Sequence, residues 1–245
     1  MSRRLSIVIP CLNEQDAVPS VLARAHDFRS RLSEARIADL EVIVVDDGSS
    51  DGSAAAVKKF EWARLVSNVE RRGYGGAIKR GIEEASGDLI AFYDMDHTYD
   101  PFDLVAMIDK LDGEGLHLVC GDRLTNCENM PITRRIGNTL FVATINFLFR
   151  QRVYDSCTGL RVFRRECREF FSGDDLPDNL NYSLAMTMHC LSKGIPLGER
   201  PIRYDRRIGR SKLSVLLDGP RFFMTIMSHW TRYESRDFVR RLTTF

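Results

Sequence analysis

Twice in this chain a short run of β-forming residues ends in acidic side chains, and that placement constrains the fold more than any other feature. The first run, Glu41-Val42-Ile43-Val44-Val45, is followed at once by Asp46-Asp47. The second, Leu89-Ile90-Ala91-Phe92-Tyr93, is followed by Asp94-Met95-Asp96. Short apolar runs of this kind predict parallel strands covered on both faces. In open α/β sheets, ligands sit in the crevice outside the carboxyl ends of such strands. Carboxylates there meet solvent, a ligand or a metal, because unpaired charge is not left buried. The Asp-x-Asp pair suits a hard divalent cation, which prefers oxygen ligands and keeps substrate phosphates in its shell. Acidic residues at a strand end can also simply cap the next helix, but two pairs with one placement favour a site.

The rest of the pattern alternates strand and helix. A strand over 5–9 ends in the polar turn Pro10-Cys11-Leu12-Asn13-Glu14. Val18, Val21, Leu22, Ala25, Phe28 and Leu32 stand at helical spacing and predict a helix over 16–35. After the strand over 41–45, a helix is expected from Ser53, capped by Ser50 or Asp51. Leu65-Val66 makes a weak strand. Gly73, Ala77, Gly81 and Ala85 recur every four residues and so share one helical face. At Gly81 and Ala85 this predicts close packing of helix on sheet. At Gly73, Gly75 and Gly76 it places free N–H groups at a helix entrance, which favours anions. Further strands are expected over 89–93 and 116–121, and helices over 101–111, 133–150 and 181–193. The helix over 133–150 is apolar on more than one side, which predicts deep burial or lipid contact. Such alternation gives an α/β fold with a mostly parallel central sheet flanked by helices, in one domain.

Charge narrows the partners. The 245 residues carry a formal net charge of +1, so the whole molecule is no electrostatic trap for nucleic acid. From Arg200 onward, eleven Arg and Lys face four Asp and Glu, a balance of +7 that leaves −6 on the preceding residues. A basic tail on an acidic body suggests an anionic partner at that end. The six cysteines show no metal-type spacing and are expected to be reduced, which fits a cytoplasmic location. The apolar run after Arg3-Arg4 is too short for a signal peptide, and no segment reaches the roughly 20 apolar residues of a membrane span. A dinucleotide-binding Rossmann enzyme is disfavoured, because no G-x-G-x-x-G follows the first strand.

In order along the chain stand Ile7 to Glu14, Val44 to Gly52, Gly73 to Asp88, Asp94-Met95-Asp96, Gly121-Asp122-Arg123, Asp155 to Arg161, and Arg207 to Lys212. Together they resemble the family-two inverting glycosyltransferases of the GT-A fold over nearly the whole length. Within that group the polyprenyl-phosphate sugar transferases are the most similar. The resemblance implies one GT-A domain over 1–245, with a nucleotide-sugar-binding half over 1–100, an acceptor half over 101–212 and an amphipathic basic tail over 213–245. It implies a UDP- or GDP-sugar donor and a Mg²⁺ or Mn²⁺ ion held by Asp94 and Asp96. Asp47 or Asp46 would meet the base or ribose, with Asn13, Glu14 and the Pro10 carbonyl in the same pocket and Gly73 and Ala77 along its helix wall. Asp96, Arg123 and Arg161 are the implied catalytic residues, and Arg135 (or its neighbour Arg134), Arg207 and Lys212 the implied anion-binding ones. Arg161 could instead pair with Asp155, and Arg206, Arg207 and Arg210 could form a solvated loop. The chain departs from its look-alikes at Thr98, where they often carry Gln, and near Ala185, where they often carry Glu.

That second departure bears on the acceptor. A sugar hydroxyl must lose a proton during attack and benefits from a general base, whereas a lipid phosphate is already ionised and needs only cations around it. The cations are present and the usual carboxylate is missing, so a polyprenyl phosphate is the expected acceptor. In the tail Leu216, Leu217, Phe222, Phe223, Ile226, Met227 and Trp230 alternate with Arg221, Arg232, Arg236 and Arg240. Such a helix can lie in a membrane interface, here the cytoplasmic face, or form half of a homodimer contact. The alternatives are the same donor chemistry on a glycan or lipid hydroxyl, and a non-catalytic nucleotide-sugar-binding module. Loss of Asp94 or Asp96 is expected of such a module, and both are present.

Overall fold

A computed structural model describes residues 3–209, 211–212 and 215–243. Arg210 and Leu213, and the side chains of Leu216, Leu217, Arg236 and Arg240, on which part of the amphipathic tail argument stands, lie outside the described residues. In chain order the elements are β1 (Arg3–Cys11), α1 (Val18–Asp27), β2 (Ile37–Asp46), α2 (Ser53–Val57), β3 (Arg64–Ser67), α3 (Tyr74–Glu84), β4 (Leu89–Phe92) and α4 (Asp103–Gly113). There follow β5 (Leu118–Asp122), α5 (Ile132–Phe149), β6 (Arg161–Arg164), α6 (Arg168–Ser172), α7 (Tyr182–Lys193), β7 (Leu197–Pro201) and α8 (Val215–Thr243).

The seven strands form one sheet in the order β3-β2-β1-β4-β6-β5-β7. All neighbours are parallel except β6, which runs antiparallel to both β4 and β5. The apolar strand residues are covered on both faces, as a parallel sheet requires. One face buries Ile7, Ile9, Val42 and Val44 under Leu22 of α1 and Leu104 of α4. The other buries Val8, Ile43, Val45 and Phe92 under Ile78 of α3 and Met186 of α7. Gly81 explains how closely α3 lies on the sheet: a Cβ there would stand 2.1 Å from a methyl of Val8, so any larger residue lifts the helix. The close packing expected at that position is what the structure shows.

The order of these strands positions the site. From β1 the chain moves outward to β2 and β3, then returns through α3 to β4 on the other side of β1. The crevice between β1 and β4 is therefore the topological switch point, where open α/β sheets bind ligands. Register carries the polar turns to that one edge, since Cys11 pairs with Asp46 and Val8 with Phe92.

Several sequence expectations need correction. The first helix spans Val18–Asp27 rather than 16–35, and a tighter 3-10 turn over Phe28–Arg31 continues its buried stripe. β6 and β7 were not expected. β6 is only four residues, Arg-Val-Phe-Arg, and β7 is an edge strand containing Gly, Glu and Pro. Both owe their strand form to the partner beside them rather than to local pattern. The helix α5 is not deeply buried: only Ile145 and Phe149 are, in a third cluster with Leu184, Met188, Phe222 and Ile226. Ile132, Ile136, Leu140 and Phe147 lie open on its outer side, the last at 83% exposure. Among the described residues no helix is long and apolar enough to cross a membrane.

Candidate active site

The switch-point crevice opens into a cavity of about 380 Å³. Pro10, Glu14, Asp47, Gly73, Ala77, Asp94, Asp96, Arg123, Arg207 and Lys212 all line it, so ten of the residues singled out from the sequence meet in one place. Asn13, Asp46, Arg135 and Arg161 do not line it.

At the end of β2, Asp47 is buried and both of its oxygens are occupied. Oδ1 accepts from the Asn68 side-chain amide and the Arg72 backbone N–H, each at 2.8 Å, and Oδ2 accepts from the Gly73 N–H at 2.8 Å. Of the N–H groups expected to favour an anion at the entrance of α3, that of Gly73 is thus already taken by a carboxylate of the protein, and that of Gly76 donates to the Asp178 carbonyl at 3.1 Å. Asp46 caps its own turn by accepting from the Ser49 N–H at 3.2 Å, and Asn13 accepts from the Ser50 N–H at 2.8 Å.

The end of β4 is built differently. Asp94 Oδ1 accepts from the Tyr74 hydroxyl at 2.7 Å. Asp96 Oδ1 accepts from the Thr98 N–H at 3.1 Å and its hydroxyl at 2.5 Å, and Asp96 Oδ2 faces the Arg207 guanidinium at 2.7 Å. Burial, followed by the Asp96 charge, pushes the Asp94 carboxyl up to about 6. Burial also raises the Tyr74 phenol well above its ordinary value, with the Asp94 charge adding to it, so this hydroxyl stays protonated. Gly159 makes room for Asp94, since a Cβ there would stand 2.7 Å from Oδ2.

Two basic segments close over these carboxylates. Arg123, at the end of β5, is bound in bidentate fashion by Asp155, with Nε to Oδ2 at 2.6 Å and Nη2 to Oδ1 at 2.9 Å. Burial works against its charge, but Asp155 holds the guanidinium charged, well above its ordinary value. The strap over 202–209 is pinned by backbone bonds from the Asp205 N–H to the Thr98 carbonyl and from the Ile208 N–H to the Asp96 carbonyl, and Tyr204 and Arg207 of it, with Ser211 and Lys212 further on, line the cavity. From it Arg207 reaches Glu14 at 2.9 Å as well as Asp96, and Lys212 also meets Glu14.

Besides Asn13 and Asp46, two more expected residues stand elsewhere. Arg161 is fully buried at the start of β6, under the loop before it, where Nε donates to the Thr158 carbonyl and Nη2 to the Ser156 carbonyl. The pleat turns its side chain away from the cavity, and its suggested partner Asp155 belongs to Arg123. On α5 the cavity face carries Arg134, Gly137, Asn138 and Phe141, so Arg134 takes the place expected of Arg135, which is exposed. One residue is about 100° of helical turn, and only the docking of the helix decides which neighbour faces in. Tyr74, Tyr99, Asn179, Ser183 and Tyr204 also line the cavity and were not singled out as site residues, and Phe222, expected on an apolar tail surface, lines it too. None of them belongs to an acidic or glycine pattern, and tertiary folding alone gathers them.

Residues 6–171 match Glycosyl transferase family 2. The chain belongs to this family. It is 31% identical over 216 residues to a dolichyl-phosphate hexose transferase of Haloferax volcanii, spanning 88% of this chain and 89% of that protein. A polyprenol monophosphomannose synthase of Mycolicibacterium smegmatis is 25% identical over 227 residues, spanning 87% of this chain and 82% of that one. Among solved structures, glucosyl-3-phosphoglycerate synthase of Mycobacterium tuberculosis, crystallised with Mn²⁺, UDP and phosphoglyceric acid, superposes with a TM-score of 0.67 at 22% identity, covering 93% of this chain and 78% of that one. The expected GT-A fold class is thereby borne out, and the protein is a family-two glycosyltransferase, hence an enzyme.

Proposed function

We propose that this family-two enzyme transfers a sugar from a UDP- or GDP-sugar to a polyprenyl phosphate at the cytoplasmic face of a membrane, with inversion at the anomeric carbon and with Mg²⁺ or Mn²⁺. The observation that carries the reading is the charge pattern of the cavity. Two carboxylates stand at its base, while Arg71, Arg123, Arg134, Arg207 and Lys212 line it around them. The walls that α7 and the turn before it supply are neutral: Asn179, Leu180, Ser183 and Leu184. Of the other carboxylates that line the cavity, Glu14 is paired with Arg207 and Lys212, Asp47 is held by Asn68 and backbone donors, and Asp218 of α8 faces Arg221 at 3.8 Å, so none is left without a partner to serve as a general base. A phosphate acceptor needs none.

The oxygens of Asp94 and Asp96 fit a hard divalent cation, and Arg207 on Asp96 already marks that oxygen as a place for positive charge. Among the described residues no three His, Cys, Asp or Glu gather into a ligand set, so diphosphate oxygens and water would complete the shell. When bound, such an ion supplies Lewis-acid stabilisation of the leaving diphosphate. An acceptor phosphate oxygen attacks the anomeric carbon as the bond to the diphosphate breaks, and the diphosphate leaves with the electron pair. Arg207, Lys212 and Arg134 hold the anionic acceptor, and Asp47 orders the donor side of the cavity through the 68–73 loop. Cys157 takes no part as a nucleophile, because burial pushes its thiol up to about 11. On α5 the exposed stripe Ile132, Ile136, Leu140 and Phe147, with Phe223 and Met224 of α8, gives an apolar surface beside the mouth residues Arg134 and Phe222 for the lipid and the bilayer.

The test is a donor screen with purified protein, Mg²⁺ or Mn²⁺, and a short polyprenyl phosphate, run with and without anionic liposomes. Transfer to the lipid phosphate that weakens with salt is expected. Glycosylation of a soluble sugar hydroxyl, with the lipid ignored, overturns the acceptor assignment.

A further inference from the structure

We infer that Tyr74 and Thr98 are positioning residues for the cation site, each fixing one carboxylate by taking its Oδ1 with a neutral donor. This rests on the metal reading above and deepens it. Only two carboxylates serve the site, so their orientation has to be supplied by neighbours. Tyr74 stands at the first position of α3 and donates to Asp94 Oδ1 at 2.7 Å, across 20 residues of sequence. Thr98 places both its N–H and its hydroxyl on Asp96 Oδ1, at 3.1 and 2.5 Å.

The two carboxylates are therefore held alike. In each, Oδ1 is taken by an uncharged hydroxyl, and Oδ2 is the oxygen left for a cation. No described donor takes Asp94 Oδ2, and on Asp96 Oδ2 the occupant is itself a cation, Arg207. A neutral donor suits this role, because it fixes the carboxylate's rotamer without cancelling the charge that attracts the ion. Partners of this kind behind a metal ligand typically change metal affinity by about 10- to 100-fold when removed. Thr98 is thus assigned away from direct ligation: its hydroxyl proton is engaged by Asp96, and it acts through that residue. Thr98 is buried, and Tyr74 is half-buried against the core cluster that includes Ala77, Tyr182 and Met186.

Calorimetric titration of Mn²⁺ into the protein with UDP or GDP present tests the assignment, using wild type, Tyr74→Phe, Thr98→Val and Thr98→Ser. Tyr74→Phe and Thr98→Val are expected to weaken Mn²⁺ binding by about 10-fold or more. Thr98→Ser, which keeps both donors, is expected to restore wild-type affinity. Nucleotide affinity without metal is expected to be unchanged, a pattern that general loosening of the fold does not give. Mn²⁺ affinity within twofold of wild type in Tyr74→Phe and Thr98→Val overturns the inference while the metal reading stands. Failure of the wild type to bind Mn²⁺ with either nucleotide overturns both. Should Tyr74→Phe fold poorly by circular dichroism, the contrast between Thr98→Val and Thr98→Ser decides alone: equal affinities overturn the inference, and a loss confined to Val supports it.

Discussion

At the carboxyl end of β2, both oxygens of Asp47 are occupied by an Asn68 amide and the N–H groups of Arg72 and Gly73. Two strands away, at the end of β4, Asp94 and Asp96 each have one oxygen held by a neutral hydroxyl, and among the described residues the charged partner bonded to the pair is the Arg207 guanidinium on Asp96. Both are buried acidic turns on one edge of one sheet, yet they are in different electrostatic states. The first carboxylate is consumed in closing a loop, with fixed donors on both of its oxygens. The second pair has its charge left undercompensated, which is the condition for holding an exchangeable cation. The difference lies in which donors the fold delivers, and four substitutions test it.

The largest effect is expected at Asp96→Ala. Loss of Lewis-acid stabilisation worth several kcal/mol lowers turnover on the order of 10³-fold, and chelator does the same to the wild type, with the circular dichroism spectrum unchanged. An alanine variant active in chelator would break the comparison at its functional end.

Asp47→Asn is expected to act on stability instead. Hydrogen bonds to a charged acceptor contribute about 1.5–3 kcal/mol, and denaturant unfolding should show a loss in that range, with donor affinity falling as the 68–73 loop loosens. Unchanged stability would mean that the loop does not depend on the charge.

The same change at Asp94 is expected to have the opposite sign. Its carboxyl is pushed up to about 6 from an ordinary value of 3.8, so the folded protein binds the proton more tightly than the unfolded chain. That group's contribution to stability is therefore present below about 3.8 and is lost as pH rises through 6. Asp94→Asn removes the buried charge and keeps an acceptor for Tyr74, so the metal-free variant should melt above the wild type at pH 7.5, with the gain vanishing toward pH 4. A lower melting temperature at pH 7.5 would place Asp94 in the same class as Asp47.

Arg207→Gln gives the smallest effect. Its pair with Asp96 is partly exposed, and such pairs are worth up to about 1 kcal/mol. Freeing the oxygen should tighten Mn²⁺ binding in the absence of donor by roughly fivefold at most, while acceptor phosphate binds more weakly. Weaker metal binding in this variant would show that Arg207 does not compete with the cation.

Much of this site was legible before any coordinates. The strands that end in Asp46-Asp47 and Asp94-Met95-Asp96 carry their own signal, because a strand buried on both faces must be apolar throughout and its polar end stands out. The close packing at Gly81 of α3 was legible for the same kind of reason, since no side chain fits there against Val8. Arg161 was not, because a buried arginine that braces carbonyls has the same letter as one that binds phosphate. The choice of Arg134 over Arg135 was not legible either, since both neighbours carry the same charge. β6 and β7 escaped because a short strand takes its form from the strands beside it.

By itself the sequence determined the alternation of strands and helices, the two acidic strand ends, the basic excess toward the C-terminus and the family to which they belong. These are local patterns, and burial and backbone geometry act on them locally. Only the tertiary structure decided that the strap lays Arg207 and Lys212 on Glu14, almost two hundred residues away, and Arg207 also on Asp96, and that Asp155 answers Arg123 rather than Arg161. A charged side chain's role depends on which opposite charge the fold brings within about 3 Å, and that distance is written in the packing of the whole chain rather than in any stretch of it.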